Sequence, residues 1–330
     1  TENVELKLKV LGAYSATAPY DCPKSKAIFE QGCVALAKKG LRRASIPNDF
    51  AALALLASGK EEYRPMLAAY VKSVAGELKA PEWWWHYGYG DLFLAEYYIA
   101  TRDKAALPVL KETLKEIAAF QSGVGTWGHE HKLINGVNLA GYGSMNQTGL
   151  CVTIPLALAR KAGLAEPQIE RAIAKSAAFM RWYVGKGSLP YGDHDPWMEH
   201  EDNGKNSMGA VMYDLLGDAE AAEYFSKMAT AGYTERERGH TGNYFNVAWA
   251  MMGVSRSGPN ATGAYLKETA WYYDLARRWD GTFAHQGIPS EDGDSYGGWD
   301  ASGSYLLGYG LGLRSLYITG KEPSKAPALT

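Results

Sequence analysis

Cysteine is scarce in this sequence: Cys22, Cys33 and Cys151 are the only three among 330 residues, and no two stand at C-x-x-C spacing. That excludes a zinc ribbon or a disulfide framework as the basis of the fold. No apolar run approaches the roughly 20 residues of a membrane-spanning helix. An excess of charge is lacking too, with 34 Lys and Arg against 36 Asp and Glu. That balance excludes an electrostatic nucleic-acid binder of the usual kind. Phenylalanine is rare, 8 residues against 22 Tyr and 10 Trp, so the rings are mostly of the kind that carries a polar handle. What remains is an ordinary globular composition, 46% hydrophobic and 21% charged, in a chain long enough for one large domain or two smaller ones.

The chain begins Val4-Glu5-Leu6-Lys7-Leu8-Lys9-Val10, a strict alternation that reads as one strand. A lone strand cannot stand by itself. Residues 1–24 are therefore expected to be an extended arm, either lying along the main body or left from a preceding β domain. From Ser25 the pattern is helical and recurs. Segments with charged faces (25–39, 62–79, 104–121, 167–184, 219–231 and 263–279) alternate with segments that are apolar nearly all round (48–56, 91–100, 145–162, 205–216, 243–254 and 301–318). A helix apolar on every side must be buried on every side, and its amphipathic partner covers it from outside. Repetition at this period is the signature of stacked helical hairpins.

Six hairpins in two layers form an all-α (α/α)6 toroid over residues 25–321, with 322–330 as a tail. An open α-solenoid would show the same alternation. Closure is favoured because the sixth apolar segment lacks the polar terminal repeat that an open array needs. This alternation resembles the six-hairpin α/α toroids of many glycoside hydrolases, polysaccharide lyases and terpenoid cyclases. More narrowly, the runs Gly-Ala-Tyr-Ser-Ala-Thr-Ala-Pro-Tyr-Asp-Cys-Pro-Lys-Ser (12–25) and Gly-His-Thr-Gly-Asn-Tyr-Phe-Asn (239–246) resemble a bacterial domain family of unknown function. The resemblance implies a toroid that follows a PDZ-like domain, which would account for the strand at 4–10. It implies no chemistry.

The links from outer to inner helices are long: 80–90, 122–144, 185–204, 232–242 and 280–300. All must emerge on one side, beside the N-termini of the inner helices, and function concentrates on loops that a scaffold holds in place. All seven histidines (His86, His129, His131, His194, His200, His240 and His285) fall in these links, as do Trp83, Trp84, Trp85, Trp127, Trp197 and Trp299. Helix propensity differences of tenths of a kcal/mol do not produce so complete a segregation. A polar, aromatic cleft does.

The inner helices also begin with polar residues, among them Asn48-Asp49, Asp91, Asn146, Asn203 with Asn206, Asn243 with Asn246, and Asp300. Capping of free N–H groups explains many of these. The pairs at i, i+3 share a helix face, expected to point to the toroid axis. The densest polar run is Asp193-His194-Asp195-Pro196-Trp197-Met198-Glu199-His200-Glu201-Asp202. It matches no named metal motif, so no cofactor is expected, a divalent cation at 193–202 being the lesser reading. Gly239-His240-Thr241-Gly242-Asn243-Tyr244 places an imidazole, an amide and a phenol together.

Three functions follow. A glycoside hydrolase needs two carboxyls, here Asp202 with Asp91 or Asp300. Trp85, Trp127, Trp197, Trp299 and Tyr244 would stack on sugar rings, while His86, His129, His194, His200, His285, Asn146, Asn203, Asn206, Asn243 and His240 would hold hydroxyls. A uronate lyase would use His240 or Tyr244 as its base. A glycan- or peptide-binding module without catalysis is the third. Other chemistries fit worse, since neither G-x-S-x-G nor a Walker A motif is present. The chain starts at Thr1 without a methionine, which leaves the compartment open; a glycan substrate sets the expectation at periplasmic or extracellular.

Overall fold

Proline and glycine punctuate the helices. Five outer helices carry proline in the first turn: α1 (Pro23–Lys39), α3 (Arg64–Glu77), α5 (Leu107–Ala119), α7 (Pro167–Arg181) and α11 (Gly258–Ala276). Proline suits that position because its missing N–H would find no intrahelical partner there. The sixth, α9 (Ala219–Ala231), is capped instead by the Asp218 carboxylate, which accepts the Ala221 N–H. The inner helices are α2 (Ile46–Ala57), α4 (Trp84–Thr101), α6 (Asn146–Ala162), α8 (Lys205–Leu216), α10 (Tyr244–Val254) and α12 (Ser302–Tyr309). Gly163 and Gly217 end α6 and α8 at positive φ, the conformation a C-cap glycine supplies without strain.

The structure, a computed structural model, describes residues 11–79, 81–132, 139, 143–196, 204–235, 244–285, 296 and 298–329. Each inner helix packs on the next, α2 on α4, α4 on α6, α6 on α8, α8 on α10 and α10 on α12, and α12 packs on α2. The ring is closed. An open solenoid would leave α2 and α12 apart.

Glycine sets the spacing of this ring. A Cβ at Gly88 of α4 would lie 2.1 Å from the Cys151 sulfur of α6, one at Gly253 of α10 would lie 2.3 Å from Cα of Ser207 of α8, and one at Gly303 of α12 would lie 2.3 Å from the Ala51 nitrogen of α2. At the Gly253 and Gly303 crossings backbone meets backbone, and at Gly88 backbone meets the Cys151 side chain, distances only glycine allows. Aromatic rings fill the bore. Phe50 of α2, Tyr89 of α4 and Trp249 of α10 are fully buried, with the Phe50 and Tyr89 centroids 5.0 Å apart.

Two boundaries differ most from the sequence reading. The inner helix α4 starts at Trp84 and not at Asp91, so Trp84, Trp85 and His86 belong to its first turn and not to a link. Gly88 and Gly90, which resemble turn residues, are needed for close packing against Cys151 and Leu78. The last inner helix stops at Tyr309, well short of 318, and continues as a 3-10 turn over Gly310–Leu313. The chain at 317–318 is drawn aside by polar partners: Arg256 donates to the Tyr317 and Ile318 carbonyls (3.1 and 3.0 Å), and Glu96 accepts the Ile318 N–H (2.9 Å).

The strand at 4–10 lies outside the described residues. From Leu11 the arm is bound to the toroid: the Tyr14 hydroxyl donates to Asp274 (2.8 Å), and the Ala16 carbonyl would stand 1.9 Å from a Cβ at Gly263 of α11. Gly303→Ala is expected to lower stability by about 1–3 kcal/mol, because neither backbone can retreat from the new methyl group. Gly76→Ala in α3, where nothing lies within 4 Å of the added carbon, should leave stability unchanged or raise it. Urea denaturation of both variants checks the pair; equal midpoints would contradict the closure argument.

Candidate active site at the mouth of the toroid

The N-terminal ends of the inner helices form one face, and the rings gather there. Phe245 in the first turn of α10 is the centre, with Trp85 at 5.0 Å, Tyr89 at 5.4 Å, Tyr296 at 5.3 Å and Trp299 at 6.2 Å between centroids. Tyr244 touches Trp299 (5.1 Å), Tyr296 (5.9 Å) and His285 (6.0 Å). His129 lies edge-on to Trp83 at 4.5 Å and within 6.0 Å of Trp85. Trp83, His129, Tyr191, His285, Tyr296 and Trp299 are half-buried, so each keeps part of its surface in water. Of these, Tyr191 and Tyr296 are not marked by the sequence, while Trp83 is counted there among the link tryptophans but not among the stacking rings. Tyr191 lies within the link between α7 and α8, and nothing in the local sequence marks it.

Several expected ligand-holding residues are instead structural. Trp127 is fully buried and its indole N–H donates to the Ile117 carbonyl (2.8 Å), so it offers no stacking face. The Asn146 amide donates to the carbonyls of Pro190 (3.0 Å) and Gly192 (2.7 Å). Asn206 accepts the Leu189 N–H (3.1 Å) and donates to Ser188 (3.2 Å). Both amides hold the 188–192 loop and do not point to the axis. His86 faces outward to Glu77 of α3, at 3.2 Å. Trp85 is nearly buried, and its indole N–H has no hydrogen-bond partner among the described residues. His194, with Asp193 and Asp195, is exposed. Trp197, His200, Asp202, Asn203, His240 and Asn243 lie outside the described residues. Among the described residues no three His, Cys, Asp or Glu side chains come together to hold a metal.

The carboxyls divide sharply. Asp91 lies two turns inside α4, fully buried, where Thr113 of α5 donates to its Oδ1 (2.7 Å). Burial raises its pKa well above the carboxylate range. It faces the outer layer, so the expected role as acid or base at the mouth is corrected. Asp49, in the first turn of α2, is also buried and receives the Tyr70 hydroxyl (2.7 Å). Burial pushes it up to about 8, against the lowering effect of that bond. Asp300 behaves oppositely. Its Oδ1 accepts the Ser302 N–H at the start of α12 (2.9 Å) and its Oδ2 meets Lys39 (2.5 Å). Although burial opposes it, these partners hold its carboxyl below the usual range, so it stands ionised. The Tyr244 hydroxyl lies 3.4 Å from the Asp300 carbonyl. Burial raises the phenol, which removes Tyr244 as a base at neutral pH.

A cavity of about 660 Å³ opens at the other end of the toroid, lined by Cys22, Phe29, Cys33, Tyr309 and Leu313 among others. It contains none of the predicted site residues.

Sequence comparison matches residues 25–320 to one family over most of the chain. The chain belongs to that family, described as Domain of unknown function (DUF6288). No curated protein matches it in sequence. Among solved structures, one named as UGL, an aspartate-to-asparagine variant with dGlcA-Glc-Rha-Glc, superposes with a TM-score of 0.65 at 14% identity. The match covers 89% of this chain and 98% of that one. A glycosyl hydrolase family 88 protein from Bacteroides vulgatus reaches a TM-score of 0.35 at 14% identity, over 82% of this chain and 74% of its own. The UGL match shows the fold of this DUF6288 domain to be the α/α toroid.

Asp49 generates a sign-definite expectation. Its carboxyl is neutral in the folded protein up to about pH 8 but ionises near 3.8 when unfolded. Its contribution to stability is therefore complete below 3.8 and is lost as pH rises through 8, with a slope approaching about 1.4 kcal/mol per pH unit. Asp49→Asn keeps an acceptor for Tyr70 and removes that slope. Denaturation midpoints at pH 5 and pH 8.5 should show the variant gaining on the wild type at the higher pH; parallel curves would refute the protonated state.

Proposed function

We propose that this DUF6288 domain is a glycoside hydrolase that binds its glycan among the half-buried rings of the mouth. The observation that carries the reading is the convergence of Trp83, His129, Tyr191, His285, Tyr296 and Trp299 on the face where the inner helices begin. Flat rings with wet edges match the alternation of apolar faces and equatorial hydroxyls on a sugar. The toroid shared with UGL, whose named structure carries a saccharide, supports the same ligand class.

The reaction needs one ionised and one protonated carboxyl flanking the scissile oxygen. Asp300 is ionised at the mouth, the state of the base, with Lys39 holding it so. Asp202, ahead of α8, is the proton donor in this reading. Lyase chemistry through Tyr244 is disfavoured because that phenol has a raised pKa and is not a phenolate; His240, the other base a lyase would use, lies outside the described residues. The glycan reading also supports a periplasmic or extracellular location, and the family resemblance supports a PDZ-like domain ahead of the arm.

A polysaccharide panel read for new reducing ends and for ultraviolet absorbance of unsaturated uronides decides the reaction. Reducing ends without absorbance are expected. Both signals together would replace the hydrolase by a lyase, and silence across the panel would remove the enzyme. Asp300→Asn, which retains a helix cap, should lower kcat by about a hundredfold or more. Lys39→Met removes the charge that lowers the Asp300 carboxyl, so the acid limb of the kcat/KM profile should move to higher pH. An unmoved limb would take Asp300 out of the mechanism.

A further inference from the structure

One surface feature is unexplained by the mouth. Trp271, Leu275 and Trp279 follow at four-residue spacing along α11 and the turn after it, exposed by 55%, 67% and 98%. Trp271 and Leu275 stand one turn, about 6 Å, apart along α11, and Trp279 follows in the turn beyond the extended Arg277. A tryptophan is among the costliest side chains to leave in water, so an indole with 98% exposure calls for a reason.

The turn that carries Trp279 is firmly built. The Arg278 N–H donates to the Thr282 carbonyl (2.8 Å) and the Gly281 N–H to the Arg278 carbonyl (3.1 Å). The Asp280 carboxylate accepts both the N–H (3.0 Å) and the hydroxyl (2.7 Å) of Thr282. Gly281, at φ +90, lies so close to α1 that a Cβ would meet the Gln31 carbonyl at 3.0 Å. Trp279 is thus presented at the tip of a fixed turn.

That turn leads directly to the mouth. Phe283, after it, donates its N–H to Ser302 in the first turn of α12 (3.0 Å), and His285 beyond it contacts Tyr244. The turn that carries Trp279 is therefore tied through 283–285 to the elements that bear Tyr244 and Asp300. Lys267, Glu268, Arg278 and Asp280 flank the apolar members. Two indoles, one on the helix and one at the tip of the turn beyond it, edged by hydrogen-bonding charges, suit a chain of sugars better than a protein partner, which would need a broad apolar area.

We infer that Trp271 and Trp279 form an outer glycan-binding track that holds the distal part of a long polysaccharide whose other end occupies the mouth. This rests on the glycan reading above and narrows the substrate class to polymers. Native gels containing hyaluronan, alginate, carboxymethylcellulose or laminarin test it, with wild type, Trp279→Ala and Trp271→Ala/Trp279→Ala run side by side. At least one polysaccharide should retard the wild type, and the double variant should bind about tenfold more weakly. Thermal midpoints should match, because the lost side chains are exposed. Equal retardation of wild type and variants, or no retardation of the wild type by any of the four, would overturn the track. The mouth reading is judged separately, by turnover of short aryl glycosides, on which the variants should equal the wild type. Retardation without turnover would sink the hydrolase and leave the track standing.

Discussion

Closure of the inner ring depends on three places where one helix meets the next across a glycine: Gly88 on Cys151, Gly253 on Ser207 and Gly303 on Ala51. An α-helix with ordinary side chains keeps its neighbour at 8–10 Å. A ring of helices kept that far apart throughout would enclose more space than the bore rings Phe50, Tyr89 and Trp249 could fill. The glycines shrink the ring until aromatic side chains pack it solid. The bore is therefore core and not channel, and no ligand threads it.

Polar residues on the inner helices do a second job. Asp49 bonds to Tyr70 of α3, Asp91 to Thr113 of α5, and Thr153 to Ser176 of α7 at 2.7 Å. Each joins an inner helix to an outer one at a single height. Apolar contact alone tolerates sliding and rotation, whereas a buried hydrogen bond is costly to leave unmade and so fixes register. The acids are tolerated because they are protonated. A carboxyl kept neutral by burial costs far less than a carboxylate there. The same pattern closes the lower end, where Arg256, paired with Asp214 at 3.1 Å, gathers the carbonyls of 317 and 318.

This explains what could be read from sequence and what could not. Alternation of charged-faced and all-round apolar segments gave the two layers, their order and most boundaries, because burial acts directly on composition. The direction in which a polar residue points was not legible. Asp91, Asn146 and Asn206 sit on helices that are apolar on every side, so no amphipathic face orients them. The expectations that Asn206 looks toward the axis and that Asp91 and Asn146 meet a ligand had no physical lever, and all three face loops or the outer layer. Trp84 to Gly90 misled for a related reason, since glycine marks both a turn and a tight helix crossing and only the neighbouring helix distinguishes them.

The concentration of histidine and tryptophan outside the apolar segments was the more durable signal, though part of it had structural causes. His131 is held by Glu116 at 3.1 Å and packed against Trp84 at 4.5 Å, which fixes the 127–132 loop. Trp127 is committed in the same way. What these buried rings do is position the half-buried ones: the Trp84 N–H donates to the His129 carbonyl, and the His131 N–H to that of Glu82 (2.8 Å), so the segments bearing Trp83 and His129 run side by side. The rim is rigid because its second row of aromatic residues is core. A stacking surface gains affinity from such preorganisation, since little side-chain entropy remains to be lost when a ring ligand arrives.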